Sequence, residues 1–369
     1  MAAIRTVGIR GAGLAGMSLA EELLRRDPTL NISLFDTRPR LPHPRRTFCF
    51  FRGEKEDRDL LISHEWRDVV FRGRSFERRI DVSSSPYSLV RGDEFFGHVL
   101  SGLESRGVSF RWCCRDVSVG KQSLQVDGDS LYFDRVVDAA FEPTRSRSIL
   151  WQSFAGVWVT SRSPVFDPTT ALLMDLQRSS RDAAVSFLYV LPTSPHTALV
   201  EHTTFSPRPL DPEYHMRICS EWMHRHAPGE LAIGDSEHGA IPMGLHTEEI
   251  AGVLSVGTCA GAVRPATGYG FRSIRDQANE LSQWILDCPG PSVQPKKRRP
   301  WWLDFSDKLF LQALLGAPER GEVLLGSLLE RAPSRALVQF LGGKVDLQAA
   351  LSVWLAVPKL EIVRSLLRV

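Results

Sequence analysis

Apolar and polar positions along the first third of the chain predict strand, turn and helix in quick succession. Val7 to Ile9 and Asn31 to Phe35 read as two strands with a glycine-rich turn and a helical stretch between them. Further on, Phe95, Phe96, Val99, Leu100 and Leu103 fall on one face of a helix over 93–106. Strands are expected at 109–112, 123–126 and 135–139. Residues 37–60, rich in Pro, Arg and other charged residues, predict an extended loop followed by a short helix. The stretch 64–90 predicts short strands and turns, with Ser83-Ser84-Ser85-Pro86 as one turn. The middle third changes character. Residues 171–174, 185–191 and 198–204 are strand-like, and the polar turn Thr193-Ser194-Pro195-His196 between the last two predicts an antiparallel pair. A helix at 212–225, a strand at 254–257 and a helix at 272–286 follow. Beyond a Pro-rich stretch over 287–300 the pattern is helical from Trp301 onwards.

The first turn carries the clearest chemical signal. Gly11, Gly13 and Gly16 fit G-x-G-x-x-G between a strand and a helix. Gly11 permits the sharp turn, Gly13 permits a pyrophosphate to approach the backbone, and Gly16 permits close packing of helix on strand. Leu14 and Ala15 then open the helix, where free N–H groups can face phosphates. Asp36 ends the second strand about 20 residues beyond Gly16, the spacing of a ribose-hydroxyl acceptor. Arg10 is out of keeping with the end of a buried strand. The expected fold class is therefore α/β. A Rossmann-type lobe (1–150 and 250–290) is interleaved with an antiparallel-sheet substrate lobe (151–249), and a C-terminal helical tail (291–369) closes the chain. That interleaving suits a flavoprotein.

Composition excludes several classes. A net charge of +2 over 369 residues gives no electrostatic case for a nucleic-acid partner. Six cysteines form no C-x-x-C pair and imply reduced thiols in a cytoplasmic setting. His224 and His226 diverge at i, i+2 on a helix, so no metal site is expected. The chain enters its first strand within a few residues and holds no apolar run long enough to span a bilayer, so neither a leader nor a span is expected.

Several segments, in order, resemble the lycopene cyclases of carotenoid biosynthesis. Arg46-Thr47-Phe48-Cys49-Phe50 is similar to that family's H-T-W-S-F, Phe154-Ala155-Gly156 to F-x-G, and Met174-Asp175 to M-D. Phe187 to Pro192 resembles F-x-Y-x-L-P, and Leu199-Val200-Glu201-His202-Thr203 resembles L-x-E-[DE]-T. Ala240 to Gly244 resembles I-P-M-G, and Gly257 to Tyr269 resembles G-x-x-A-G-x-x-H-P-x-T-G-Y. The departures are Arg46 and Arg264 for histidines, His202 for an acid and Phe48 for a tryptophan.

The resemblance implies an FAD-dependent, net non-redox ring closure on a linear isoprenoid end group such as that of lycopene. It implies reduced FAD as the active form and NAD(P)H as the reductant. It also implies that Thr47, Phe48, Gly257, Ala260, Gly261, Arg264, Pro265, Thr267, Gly268 and Tyr269 lie around the flavin, with Arg91 reaching a phosphate. Glu201 shares a strand face with Leu199 and Thr203, and a carboxyl there has its proton affinity raised by desolvation. Glu201 is thus the expected acid/base and Asp175 the expected proton relay. Lys296-Lys297-Arg298-Arg299 followed by Trp301 and Trp302 suits an anionic membrane surface. Two other readings fit an apolar isoprenoid ligand: a redox flavoenzyme of the prenyl reductase or monooxygenase kind, and a non-catalytic isoprenoid-binding flavoprotein.

Overall fold

The computed structural model describes residues 4–40, 46–53, 61–178, 180–226, 229–248, 250–288 and 300–367. A five-stranded parallel sheet forms from Leu254–Ser255, Arg135–Asp138, Thr6–Arg10, Asn31–Phe35 and Ser109–Arg111, in that spatial order. Helices Leu14–Arg26 and Phe271–Asp287 pack together over one face of it, and their apolar stripes share a core with Val7, Ile9, Ile32 and Leu34. Arg10 is accommodated because the register sets it beside Asp138. Its Nε and Nη2 donate to the two carboxylate oxygens at 2.9 and 2.7 Å, and Glu142 takes Nη1. A fully paired guanidinium is tolerable at a buried strand end.

The second layer is a seven-stranded sheet in the order Leu231–Met243, Leu150–Ser161, Thr197–Ser206, Val185–Pro192, Thr170–Leu176, Asp68–Arg72, Glu77–Asp81. All pairs are antiparallel except Thr170–Leu176 with Asp68–Arg72. Residues 68–81, expected with the first lobe, thus extend the sheet of the second. The predicted pair around 193–196 forms over Val185–Pro192 and Thr197–Ser206. Two strands that the pattern did not predict, Leu150–Ser161 and Leu231–Met243, join it. Leu231–Met243 carries Gly234, Gly239 and Pro242, which only an edge strand accommodates well.

Helix Pro212–His226 covers one face of this sheet, setting Cys219, Trp222 and Met223 against Val157, Val190 and Val200. The opposite face packs Leu173, Phe187, Leu199 and Phe205 against Leu311, Leu314, Leu324 and Leu328 of the helical tail. A small antiparallel sheet of Thr47–Phe51, Tyr87–Arg91 and His64–Trp66 joins that core through Phe51, Tyr87 and Trp66. The described part of 37–60 therefore includes a strand at Thr47–Phe51 where a loop was expected. The tail begins with Trp301–Gly316 and is helical, as its pattern predicts; Lys296 to Arg299 lie outside the described residues. No helix among the described residues is long and apolar enough to cross a membrane.

Candidate active site

The glycine turn is built as a cradle. Gly11 adopts φ +97°, and a Cβ on Gly16 would collide with the Gly11 carbonyl oxygen. Helix Leu14–Arg26 begins at Gly13 with no side chain capping it, so its first N–H groups remain available to an anion. Asp36 accepts from the Ala12 N–H at 2.7 Å and is paired with Arg38, which holds its carboxyl below the ordinary range against the cost of burial. The Arg38 guanidinium lies 3.4 Å from where a Gly13 Cβ would sit, at the place a pyrophosphate would approach. Gly257 (φ +90°) brings the second loop against this helix, since its Cβ would lie 2.5 Å from that of Ala15. Ala260 closes the short turn Thr258–Ala260, and beside Gly261 there is open space. These features fit a dinucleotide held between the two glycine loops.

The acid chemistry is concentrated one layer away. Glu201 pairs with Gly156 on one side and Tyr189 on the other, and Gly156 pairs in turn with Glu237 of the edge strand. Directly opposed residues share a sheet face, so Tyr189, Glu201, Gly156 and Glu237 form one row across four strands. Two strand spacings put the carboxyl-bearing Cα atoms about 10 Å apart. The missing side chain at Gly156 opens the space between them, and a Cβ there would come 2.8 Å from the Glu201 Cβ.

Burial pushes the Glu201 carboxyl well above its ordinary range, and the neighbouring Glu237 charge pushes it further; the Thr203 hydroxyl, donating at 3.2 Å, opposes this only in part. Glu237, 3 % exposed, is raised by desolvation to about 7, restrained by hydrogen bonds from Thr47 and by the charges of Arg46 and Arg91. The Thr47 N–H donates to Glu237 at 2.6 Å. Burial therefore favours the protonated form at both carboxyls, and Glu237, with its Thr47 and arginine partners, is the better stabilised anion.

Around the pair lie Cys49 and three tyrosines. Tyr87 and Tyr269 join their hydroxyls at 3.1 Å, and Tyr189 hydrogen-bonds Tyr269. Burial raises all three phenols and the Cys49 thiol, so each stays neutral. A narrow cavity of about 20 Å³ touches Tyr189, Tyr269, Phe187, Phe205 and Phe340.

The sequence expectations fare unevenly against this geometry. Glu201 is where the strand alternation put it. Asp175 is not its relay: it pairs with Leu188, which pairs with His202, so its side chain lies on the opposite face near Arg72 and helix Pro212–His226. A bulge at Leu172–Asp175 makes that placement unreadable from alternation alone. On Thr47–Phe51 it is Cys49 that faces the carboxyls; Phe48 points away and stacks on Phe271, ring centroids 4.8 Å apart.

Arg264 is taken up by Asp307, with both contacts at 3.1 Å, and by the Phe340 carbonyl, so it pins the tail instead of meeting a phosphate. Arg91 lies over Trp158 and pairs with Asp93. Pro265 and Gly268 are buried in a tight turn, where a Cβ on Gly268 would collide with Gln152, and Thr267 and Tyr269 face the aromatic cavity. His202 bonds Ser186 and His215 on the far face. The residue missed was Glu237; counting back in twos from Ile241 of the I-P-M-G-like segment would have put it on one face with Gly239.

The family model described as Lycopene cyclase protein matches residues 7–367. The chain belongs to the lycopene cyclase family. It is 23% identical to a lycopene beta-cyclase of Pantoea ananas, over 96% of this chain and 95% of that protein. It is 26% identical to a chromoplastic capsanthin/capsorubin synthase of Citrus sinensis, over 79% of this chain but only 62% of that protein. In fold it is similar to a geranylgeranyl bacteriochlorophyll reductase-like protein of Thermoplasma acidophilum (TM-score 0.63, 16% identity, 98% of each chain). A flavin-dependent halogenase of Xanthomonas campestris is similar too (TM-score 0.60, 11% identity, 99% of this chain and 94% of that one).

Proposed function

We propose that this lycopene cyclase family member closes a ring on the acyclic end group of a carotenoid-like polyene without net oxidation or reduction. The observation that supports it is the row Tyr189–Glu201–Gly156–Glu237: two carboxyls with raised proton affinity on one sheet face, beside a tyrosine that lines an aromatic cavity.

The Glu201 O–H adds its proton to the terminal double bond, whose electron pair forms the new C–H bond and leaves a tertiary cation. The neighbouring double bond attacks that carbon and closes the ring. A proton then leaves the ring carbon for the Glu201 carboxylate, restoring the acid, so that product and substrate are isomers. Glu237 supplies fixed negative charge toward the cation, and the faces of Tyr189, Tyr269 and Phe187 add to it in a setting free of water. The packed tail excludes water that would trap the cation as an alcohol. The loops at Gly11–Gly16 and Gly257–Gly261 would hold FAD, which in its reduced form would supply further negative charge to offset the cation, with NAD(P)H as the external reductant.

Exposed apolar side chains on the tail, among them Trp301, Phe305, Leu351 and Leu355, support attachment to a membrane surface, where such a polyene dissolves.

The deciding experiment incubates lycopene anaerobically with protein carrying reduced flavin. A cyclic isomer with the flavin still reduced is expected. Oxidation of one flavin per product would favour the redox reading. Glu201→Gln should keep its flavin and fold while losing about 10²–10⁴ in turnover.

A further inference from the structure

The aromatic cavity reaches Tyr189, the row neighbour of Glu201, and its other side is closed by the helical tail. A second cavity of about 60 Å³ lies within the helical tail, and Phe310, Leu328 and Phe340 belong to the walls of both. Beyond those side chains it is walled by Leu303, Val353, Trp354, Val357 and Ile362, from helices Trp301–Gly316, Leu347–Ala356 and Lys359–Leu366 and the segment between the last two. Among the described residues that line it, the polar groups are the side chains of Ser306 and Asp307 and the indole N–H of Trp354. The Ser306 hydroxyl donates to the Leu303 carbonyl, and Asp307 is matched by both Arg264 nitrogens. With Ser306 and Asp307 engaged inside the protein, the cleft has little to offer water and much to offer hydrocarbon. Its outer wall reaches the surface: Trp354 is 38% exposed, and Leu351 and Leu355 of the same helix are exposed beside it.

We infer that this tail cleft binds the unreacted length of the substrate, a long linear apolar chain that threads from Trp354 past Phe310 and Phe340 to present its end group at Glu201 and Glu237. The inference rests on the cyclase reading for the identity of the chain, but the cleft itself requires only a linear hydrocarbon. Three things on the molecule favour such an occupant. The two cavities abut, divided only by the side chains they share, the inner one reaches Tyr189, which is paired with Glu201 across the sheet, and the outer cavity opens among apolar side chains. The cavities are narrow, so loading must turn the Phe310 and Phe340 rings aside. The cleft thereby selects for a linear, slender chain and admits it end first.

The test uses the flavin-loaded full chain and cis-parinaric acid, a fluorescent linear polyene, with lycopene as the reacting substrate. Polyene emission excited through tryptophan reports binding near Trp354. Wild type should bind the probe with energy transfer, and Trp354→Phe should keep the binding and lower the transfer, the chain's eight other tryptophans supplying the remainder. Ala350→Trp, which fills the half-buried cleft wall from helix Leu347–Ala356, should weaken probe binding and lycopene conversion together by at least about tenfold, with unchanged flavin absorbance and melting temperature.

An Ala350→Trp protein that binds and converts like wild type overturns the channel, as does transfer unaltered in Trp354→Phe. Should Ala350→Trp not fold, the Trp354→Phe comparison decides alone. A change confined to vesicle binding or to self-association in these variants also overturns it, assigning the face to a bilayer or a second copy. The two readings fail separately. A wild type that binds the probe beside Trp354 but closes no ring keeps the channel and removes the cyclase. Ring closure indifferent to Ala350→Trp removes only the channel.

Discussion

Replacing Glu237 by Gln tests whether the carboxyl pair holds protons through burial. The amide oxygen can still accept the Thr47 N–H, so shape and the 2.6 Å bond are preserved while the ionisable group is removed. In the unfolded chain the carboxyl ionises near 4.5, and in the folded protein desolvation raises it to about 7. Between those values the folded state binds more protons than the unfolded one, so wild-type stability falls as pH rises through this window. Below 4.5 the wild type and the variant should be equally stable in this respect. Above 7 the variant should be the more stable by about 3 kcal/mol, which is about 5 °C in melting temperature. Thermal or denaturant midpoints of both proteins at pH 4 to 9 measure the difference. Parallel curves for the two across that range would refute the reasoning. The same substitution removes fixed charge facing the cation, so added stability should come with slower turnover.

Asp307→Asn should cost about 3–5 kcal/mol, measured by denaturant titration, because it leaves the buried Arg264 guanidinium short of charge compensation; a loss under about 1 kcal/mol would contradict this. Asp175→Asn should leave turnover near wild type, since that carboxyl lies across the sheet from Glu201, and a loss comparable to Glu201→Gln would restore it as a relay. Gly13→Val should yield colourless protein by blocking the approach to the helix N-terminus, and normal flavin absorbance would move the cofactor elsewhere.

What the sequence disclosed followed the strength of local patterning. The glycine turn, the strand carrying Glu201 and the helices at 92–105, 212–226 and 271–287 are regular enough to announce themselves. The strand Leu231–Met243 is not, because an edge position tolerates the glycines, proline and charges that ordinarily argue against a strand. Without that strand Glu237 has no place beside Glu201, and the M-D-like segment points to Asp175 as the second carboxyl instead. Arg264 was misread for a related reason. Its partner Asp307 lies 43 residues further along on a tail helix, and nothing local in either segment signals a long-range ion pair.

That ion pair bears on how the tail should be regarded. Arg264 sits in the loop between the last strand of the parallel sheet and helix Phe271–Asp287, yet its charge is balanced from the helix Trp301–Gly316 and its remaining donor is met by Phe340. The helical tail is therefore no detachable module. A version cut before Trp301 would bare a buried cation and the apolar face of the sheet together, and any loss of vesicle binding would report misfolding. Surface substitutions at Trp301, Leu351 or Leu355 leave that electroneutral seam intact. A chimera that exchanges tails between relatives would have to exchange residues 264 and 307 as a unit.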